Sequence, residues 1–146
     1  VYALVYINAD SAEHSLITLR PRREEPVSPQ TGWHNRKGVP LRGSVIVTNG
    51  ALYMFGDNGV VTCLAARSGQ KFWSQRLSGQ FWSSPVLADG RIYCGNKEGE
   101  VFVIKAAPEF KVLAKNTFSE GFHATPALAG NSLILRSNTH LYCIGK

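Results

Sequence analysis

The chain repeats itself with a period of 40 to 41 residues, and this constrains its fold more than any other feature. Slid by 40 positions, Gly50-Ala51-Leu52-Tyr53 falls on Gly90-Arg91-Ile92-Tyr93. In the same register Gly59-Val60-Val61-Thr62-Cys63-Leu64 falls on Gly99-Glu100-Val101-Phe102-Val103-Ile104. A third copy follows, since Phe81-Trp82-Ser83-Ser84-Pro85-Val86-Leu87-Ala88 recurs 41 residues later as Phe122-His123-Ala124-Thr125-Pro126-Ala127-Leu128-Ala129. The stretches Ser132-Leu133-Ile134-Leu135 and His140-Leu141-Tyr142-Cys143-Ile144 continue it. A unit this short cannot bury an apolar face alone, so it stacks on its neighbours and the core is distributed between units.

Within one period the pattern resolves into four strands, read as Ser84 to Ala88, Arg91 to Gly95, Glu100 to Lys105 and Lys111 to Thr117. Asp89-Gly90 suits a tight hairpin with positive φ, and Asn96-Lys97-Glu98-Gly99 suits a longer loop closed by glycine. No stretch keeps a 3.6-residue apolar period, which argues against helix. Four strands per 40 residues predict an all-β chain, a β-propeller segment of four-stranded antiparallel blades. It would hold about three to three and a half blades of a larger propeller of about seven or eight. The expected units are 1–43, a partial first blade with a basic loop insertion; 44–83 and 84–124, two blades; and 125–146, a three-strand partial blade. In the first unit Val1 to Ile7 and Ser15 to Leu19 read as middle strands joined through Asn8 to His14. Blades are covered on both sides, so Leu52, Ile92, Val101 and Val103 are expected to face neighbouring blades.

The segment Cys63-Leu64-Ala65-Ala66-Arg67-Ser68-Gly69-Gln70-Lys71-Phe72-Trp73 resembles the Ala-Leu-Asp-x-x-Thr-Gly-x-x-x-Trp repeat of the pyrroloquinoline quinone (PQQ)-like propellers. That family includes the quinoprotein alcohol dehydrogenases and a propeller lipoprotein that assists outer-membrane barrel assembly. The resemblance covers roughly residues 44 to 146 and implies structural roles for Gly69, Trp73, Pro85, Gly90 and Pro126. It implies that the small hydroxyl and Gly69 turn the chain after the third strand, and that Trp73 docks between adjacent blades. The next copy departs from it, with Ala106-Ala107-Pro108-Glu109-Phe110 in place of the turn and Val112-Leu113 in place of the tryptophan region.

Charge and motifs exclude several functions. The net charge is +6, and the stretch from Arg20 to Arg42 contributes +4 of it. Its prolines and glycines (Pro21, Pro26, Pro29, Pro40, Gly32, Gly38) make it a loop or insertion, and Trp33 is its one interleaved aromatic, so no nucleic-acid partner is expected. No apolar run is long enough for a membrane-spanning helix. The four histidines, His14, His34, His123 and His140, lack metal-ligand spacing, and no Cys-x-x-Cys, nucleophile elbow, phosphate loop or dinucleotide fingerprint is present. Asp57, Asp89, Glu98 and Glu120 read as turn or rim residues isolated from one another. Cys63 and Cys143 share one blade position two repeats apart, beyond the ~7 Å reach of a disulfide, so all three cysteines read as buried free thiols.

Blade geometry picks out one candidate face. In an up-and-down blade, the link into the first strand and the loop between the second and third strands emerge at the same end. Arg42, Trp82 and His123 occupy equivalent positions in the links, and Asn58, Lys97 and Asn138 stand in the loops beside them. Together they offer a cation, a stacking surface and a titratable imidazole to a ligand or partner. The plainer expectation is that Trp82 and His123 pack against a neighbouring blade's loop.

Two functions follow. The first is a non-catalytic scaffold binding a protein or saccharide partner, with no catalytic residue, cofactor or metal of its own. The alternative is a segment of a PQQ-dependent quinoprotein dehydrogenase holding PQQ and calcium, although neither an aspartate base nor a calcium-ligand set can be matched to this sequence. Resemblance to propellers that mostly work outside the cytoplasm implies a periplasmic or extracellular location. The remaining propeller blades are also expected partners, because the first and last blades of an open arc leave apolar faces and strand edges uncovered. The chain alone is therefore expected to associate at high concentration. Sedimentation analysis checks this, and a monodisperse monomer would contradict it.

Overall fold

The computed structural model describes residues 4–8, 15–20 and 30–145, and all of its regular elements are strands. The first sheet holds β1 (Leu4–Asn8), β2 (Ser15–Arg20) and β3 (Gln30–Asn35). The second holds β4 (Ile46–Thr48), β5 (Ala51–Phe55), β6 (Val60–Ala65) and β7 (Lys71–Arg76). The third holds β8 (Val86–Ala88), β9 (Arg91–Gly95), β10 (Glu100–Lys105) and β11 (Val112–Thr117). The fourth holds β12 (Ala127–Ala129), β13 (Ser132–Arg136) and β14 (Leu141–Ile144). Strands run in sequence order and pair antiparallel within each sheet, the meander of propeller blades.

Turn chemistry fixes the hairpins. Asn49-Gly50 and Asp89-Gly90 both take positive φ at each residue, as a two-residue turn matched to strand twist requires. Both faces of the second and third sheets are used, by simple alternation. Along β5, Leu52 and Met54 join Val39 and Leu64 in one cluster, while Ala51, Tyr53 and Phe55 join Ile92, Cys94, Phe102 and Ile104 of the third sheet in another. Val101, Phe122 and Leu135 form the core between the third and fourth sheets. Leu52, Ile92 and Val101 thus pack between sheets as expected.

Aromatic residues from the links close these junctions. Phe81, wholly buried, lies edge-on to Phe55 at 5.5 Å and to Phe102 at 5.9 Å, and so touches the sheets on both sides of it. Its repeat partner Phe122 meets Phe118 at 5.1 Å. Trp73 is buried on an otherwise exposed outer strand, packs on Tyr53 and Phe110, and donates its indole N–H to the Ala107 carbonyl at 3.3 Å.

Several expectations need correction. The stretch read as a basic loop contains a strand, β3, whose pairing with β2 matches Leu16 with Asn35 and Ile17 with His34. Trp33 on β3 donates its indole N–H to the Ala66 carbonyl at 3.0 Å, the contact Trp73 makes one blade later. A polar outer-edge strand lacks apolar alternation, which is why the pattern did not show it. Residues 1–3, 9–14 and 21–29, part of the expected first blade and its loop, lie outside the described residues.

The counterpart of Trp73 is also not in Val112-Leu113. A bulge interrupts each outer pairing, and Val103 faces Ala114 as Cys63 faces Trp73. Finally, Cys63 and Cys94 are buried but Cys143 is exposed, because it lies on the face of β14 turned away from the third sheet.

Gly69 shows why the signature needs glycine. Its φ is +73°, and a Cβ there would stand 2.6 Å from the Trp33 ring. Trp73→Ala is expected to cost about 3–5 kcal/mol, whereas replacing its exposed neighbour Phe72 should change stability by about 0.5 kcal/mol or less. Urea unfolding midpoints of the two variants check this.

Candidate functional site

The strand ends place one residue of each link beside a loop of its own blade. Arg42, Trp82 and His123 stand the same number of residues before β4, β8 and β12. In the second blade Arg42 pairs with Asp57 of the β5–β6 loop, and Asp57 also accepts the Leu41 N–H at 2.8 Å. In the third, the Lys97 N–H of the β9–β10 loop bonds the Gln80 carbonyl of the link at 3.0 Å. Link and loop are therefore tied at one end of the second and third blades.

These ties bring the expected residues together. The Arg42 guanidinium carbon lies 4.3 Å from the centre of the Trp82 ring, and the Lys97 Nζ lies 4.0 Å from it. His123 stacks on the same ring at 5.3 Å, with 29° between planes. Arginine, indole and imidazole from three consecutive blades thus form one ladder, with a second cation on its central step. Trp82 is half-buried while Arg42 and His123 are exposed. Each cation on the ring contributes about 0.5–1 kcal/mol at such a surface. Trp82 and His123, each in a link, stack on one another across neighbouring blades.

The other expected residues sit differently. Asn58 closes its loop, its side-chain oxygen accepting the Val60 N–H at 3.1 Å and its carbonyl accepting from Arg76 at 2.7 Å. Asn138 is exposed in the β13–β14 loop. Trp73, Pro85 and Pro126 are buried, and Gly90 takes a φ of +68° in its hairpin.

A polar network beside the ladder escaped the sequence reading. Asn96, fully buried, donates to the Ser78 carbonyl at 3.0 Å and to Glu100 at 2.9 Å, and accepts the N–H groups of Glu98 and Glu100. Burial pushes the Glu100 carboxyl up, but hydrogen bonds from Lys115, Ser78 and Asn96 outweigh it and hold the group below the ordinary value. Glu98 reaches back to the Gln80 N–H at 2.9 Å. At the next junction the direction reverses. Glu120 of the link accepts from Ser137 Oγ at 2.7 Å and from the Thr139 N–H at 3.0 Å, and lies 3.2 Å from His140 Nδ1. Ser137 and Thr139 hold its carboxyl down to about 2. Spacing alone could not have shown this, since the partners are 17 to 20 residues apart.

Among the described residues no group of three or more His, Cys, Asp or Glu side chains converges as metal ligands. Calcium takes six to eight oxygens, and Asp57, Glu100 and Glu120 are each engaged by protein donors. Among the described residues these carboxylates therefore do not converge on a calcium site. No helix among the described residues is long and apolar enough to cross a membrane.

An all-β chain of stacked three- and four-stranded meanders with the Gly69 and Trp73 dock defines a segment of a PQQ-like propeller. The family model described as outer membrane protein assembly factor BamB matches residues 25–108 and 57–145, and the chain belongs to this family. A protein of that description from Burkholderia pseudomallei (strain K96243) is 34% identical over 100 residues, 68% of this chain and 25% of its own length. The crystal structure of BamB from Moraxella catarrhalis superposes with a TM-score of 0.77 at 14% identity, over 98% of this chain and 42% of that one. A europium-containing methanol dehydrogenase shares the fold with a TM-score of 0.63 at 12% identity, over 79% of this chain and 23% of that one. The chain thus spans about a quarter of the length of the Burkholderia relative.

Glu120 generates a prediction. Its folded-state pKa lies below the value of about 4.3 for a free glutamate, so its contribution to stability is complete above that value. It is lost as pH falls towards 2. The stability difference between the wild-type chain and Glu120→Gln, measured by urea unfolding, should therefore be largest near neutral pH and shrink steadily across this window.

Proposed function

We propose that this chain is a non-catalytic scaffold segment of an outer membrane protein assembly factor, and that the Arg42, Trp82, Lys97 and His123 face receives a protein partner. The carrying observation is the ladder: a half-buried indole flanked by two cations and an imidazole, at the same end of three consecutive blades. Tryptophan and arginine are the residues that most often dominate binding energy at interfaces, and rings already stacked lose little freedom on binding. The cations suit a segment carrying carboxylates. Asn58 and Asn138, exposed in neighbouring loops, extend the rim.

Family membership supports the assembly role, since the matching relatives are described as outer membrane protein assembly factors. On this reading the protein works in the periplasm, needs no cofactor, and shares a propeller with further blades. The dehydrogenase likeness supports the fold alone.

The test uses the full-length protein in the cells that make it. Trp82→Ala with Arg42→Ala removes a hot-spot pair worth about 2 kcal/mol or more, roughly a thirtyfold loss of affinity. Outer membrane protein levels should fall towards those of a deletion strain while the variant's own abundance is kept. Wild-type levels in the double variant would reject this face. Wild-type levels in the deletion strain would reject the assembly role.

A further inference from the structure

We infer that the Lys97 ammonium and the Trp82 indole N–H together bind one carboxylate, an aspartate or glutamate side chain of the polypeptide partner. This rests on the partner face proposed above and names the group that face reads. Lys97 is half-buried, and its Nζ lies 4.0 Å from the centre of the half-buried Trp82 ring. Among the described residues no carboxylate stands within ion-pair reach of Lys97, whose side chain makes one long hydrogen bond, to Gln80 Oε1 at 3.4 Å. A half-buried cation without a counter-charge has lost part of its water and gained little in return.

Trp82 adds a second open donor. Trp33 and Trp73 each donate the indole N–H to a carbonyl of the next sheet's turn, at 3.0 Å and 3.3 Å, whereas among the described residues the Trp82 N–H has no protein acceptor. Arg42, Lys97 and His123 all lie against the Trp82 ring, so the chain covers its faces and leaves the edge that carries the N–H. The carboxylates at this blade end are engaged elsewhere: Asp57 with Arg42 and the Leu41 N–H, Glu98 with the Gln80 N–H, and Glu120 with Ser137 and Thr139. Arg42 is thus neutralised within the chain, and Lys97 is not. The links and loops of the second, third and fourth blades around this pair are all described. A neutral carbonyl would satisfy Trp82 and leave Lys97 uncompensated. A carboxylate meets both needs, one oxygen for each donor, and such charge-assisted bonds are roughly twice as strong as neutral ones.

Carbodiimide coupling in cells that make the full-length protein tests this. The reagent condenses a lysine amine with a touching carboxylate into an amide, and takes up the water lost as a urea. Mass spectrometry should find Lys97 joined to an aspartate or glutamate of another polypeptide. Coupling of Lys115 to Glu100, an ion pair within the chain, verifies both the reaction and the fold. Lys97→Arg keeps the charge but cannot couple, and should abolish the product. A synthetic peptide of the coupled segment should then bind the purified full-length protein. Its affinity should fall about tenfold or more in Trp82→Phe, in Lys97→Met, and when the peptide's carboxylate is exchanged for the amide. Coupling of Lys97 only within its own chain, or none while Lys115 couples, would overturn the proposal. So would coupling to a C-terminal carboxylate alone, or unchanged affinity in a Trp82→Phe variant that still joins Lys115 to Glu100. Should Trp82→Phe not fold, Lys97→Met and the amide peptide decide. Reduced outer membrane protein levels in the Trp82→Ala, Arg42→Ala variant with no coupling at Lys97 would sink this inference and leave the face standing. Coupling at Lys97 with wild-type levels in that variant would uphold the carboxylate contact and reject the assembly face.

Discussion

Face-to-face burial between consecutive sheets is the contact on which the rest of this structure depends, and it is most complete where the second and third sheets meet. There Tyr53, Phe55, Cys63 and Trp73 from one side meet Ile92, Cys94, Phe102 and Ile104 from the other, with Phe81 between them. No sheet here could bury these side chains within itself, since a meander has no interior. Burial of this kind stabilises by about 25 cal/mol per Å² of apolar area, and it is obtained only when neighbours are in place. The same environment pushes the Cys63 thiol up to about 11 and raises that of Cys94, so both behave as small apolar groups.

The stacking also determines where polar chemistry can occur. Link and loop residues emerge at fixed points on each blade, so a one-residue choice per repeat is displayed side by side across the junctions. Arg42, Trp82 and His123 form a ladder because sheet packing brings their links together. The carboxylates at the junctions obey the same geometry with opposite polarity. Glu98 reaches from loop to link in one case, and Glu120 reaches from link to loop in the next. One structural need, a carboxylate for the free N–H groups of the adjoining segment, is met from either side.

Much of this was legible in the residues. Asp89-Gly90 marked its hairpin, and the repeats of Gly59 to Leu64 and Gly99 to Ile104 marked the third strands, because turns and half-covered strands leave local signatures. The grouping of Arg42, Trp82 and Lys97 followed from strand parity alone. What escaped was non-local or unpatterned. Strand β3 is a polar edge whose only apolar anchor is Trp33, so nothing in Gln30–Asn35 alternates. Ala114 was missed as the tryptophan counterpart because the turn before β11 is one residue longer than that before β7, which a fixed offset cannot register. Cys143 matched the buried Cys63 by repeat position, yet its exposure depends on what covers the face of β14.

The amino-acid sequence by itself determined the period, the strand order within each blade, the hairpin geometry and the alternation that gives the inner strands two apolar faces. These follow from backbone sterics and side-chain periodicity, which act over a few residues. Only the tertiary structure decided which faces are filled and which stand open. It set three aromatic or cationic side chains on one ring and joined Glu120 to Ser137. Those outcomes depend on the distance between sheets, and that distance is set by the packing of residues 30 to 40 positions apart in the chain.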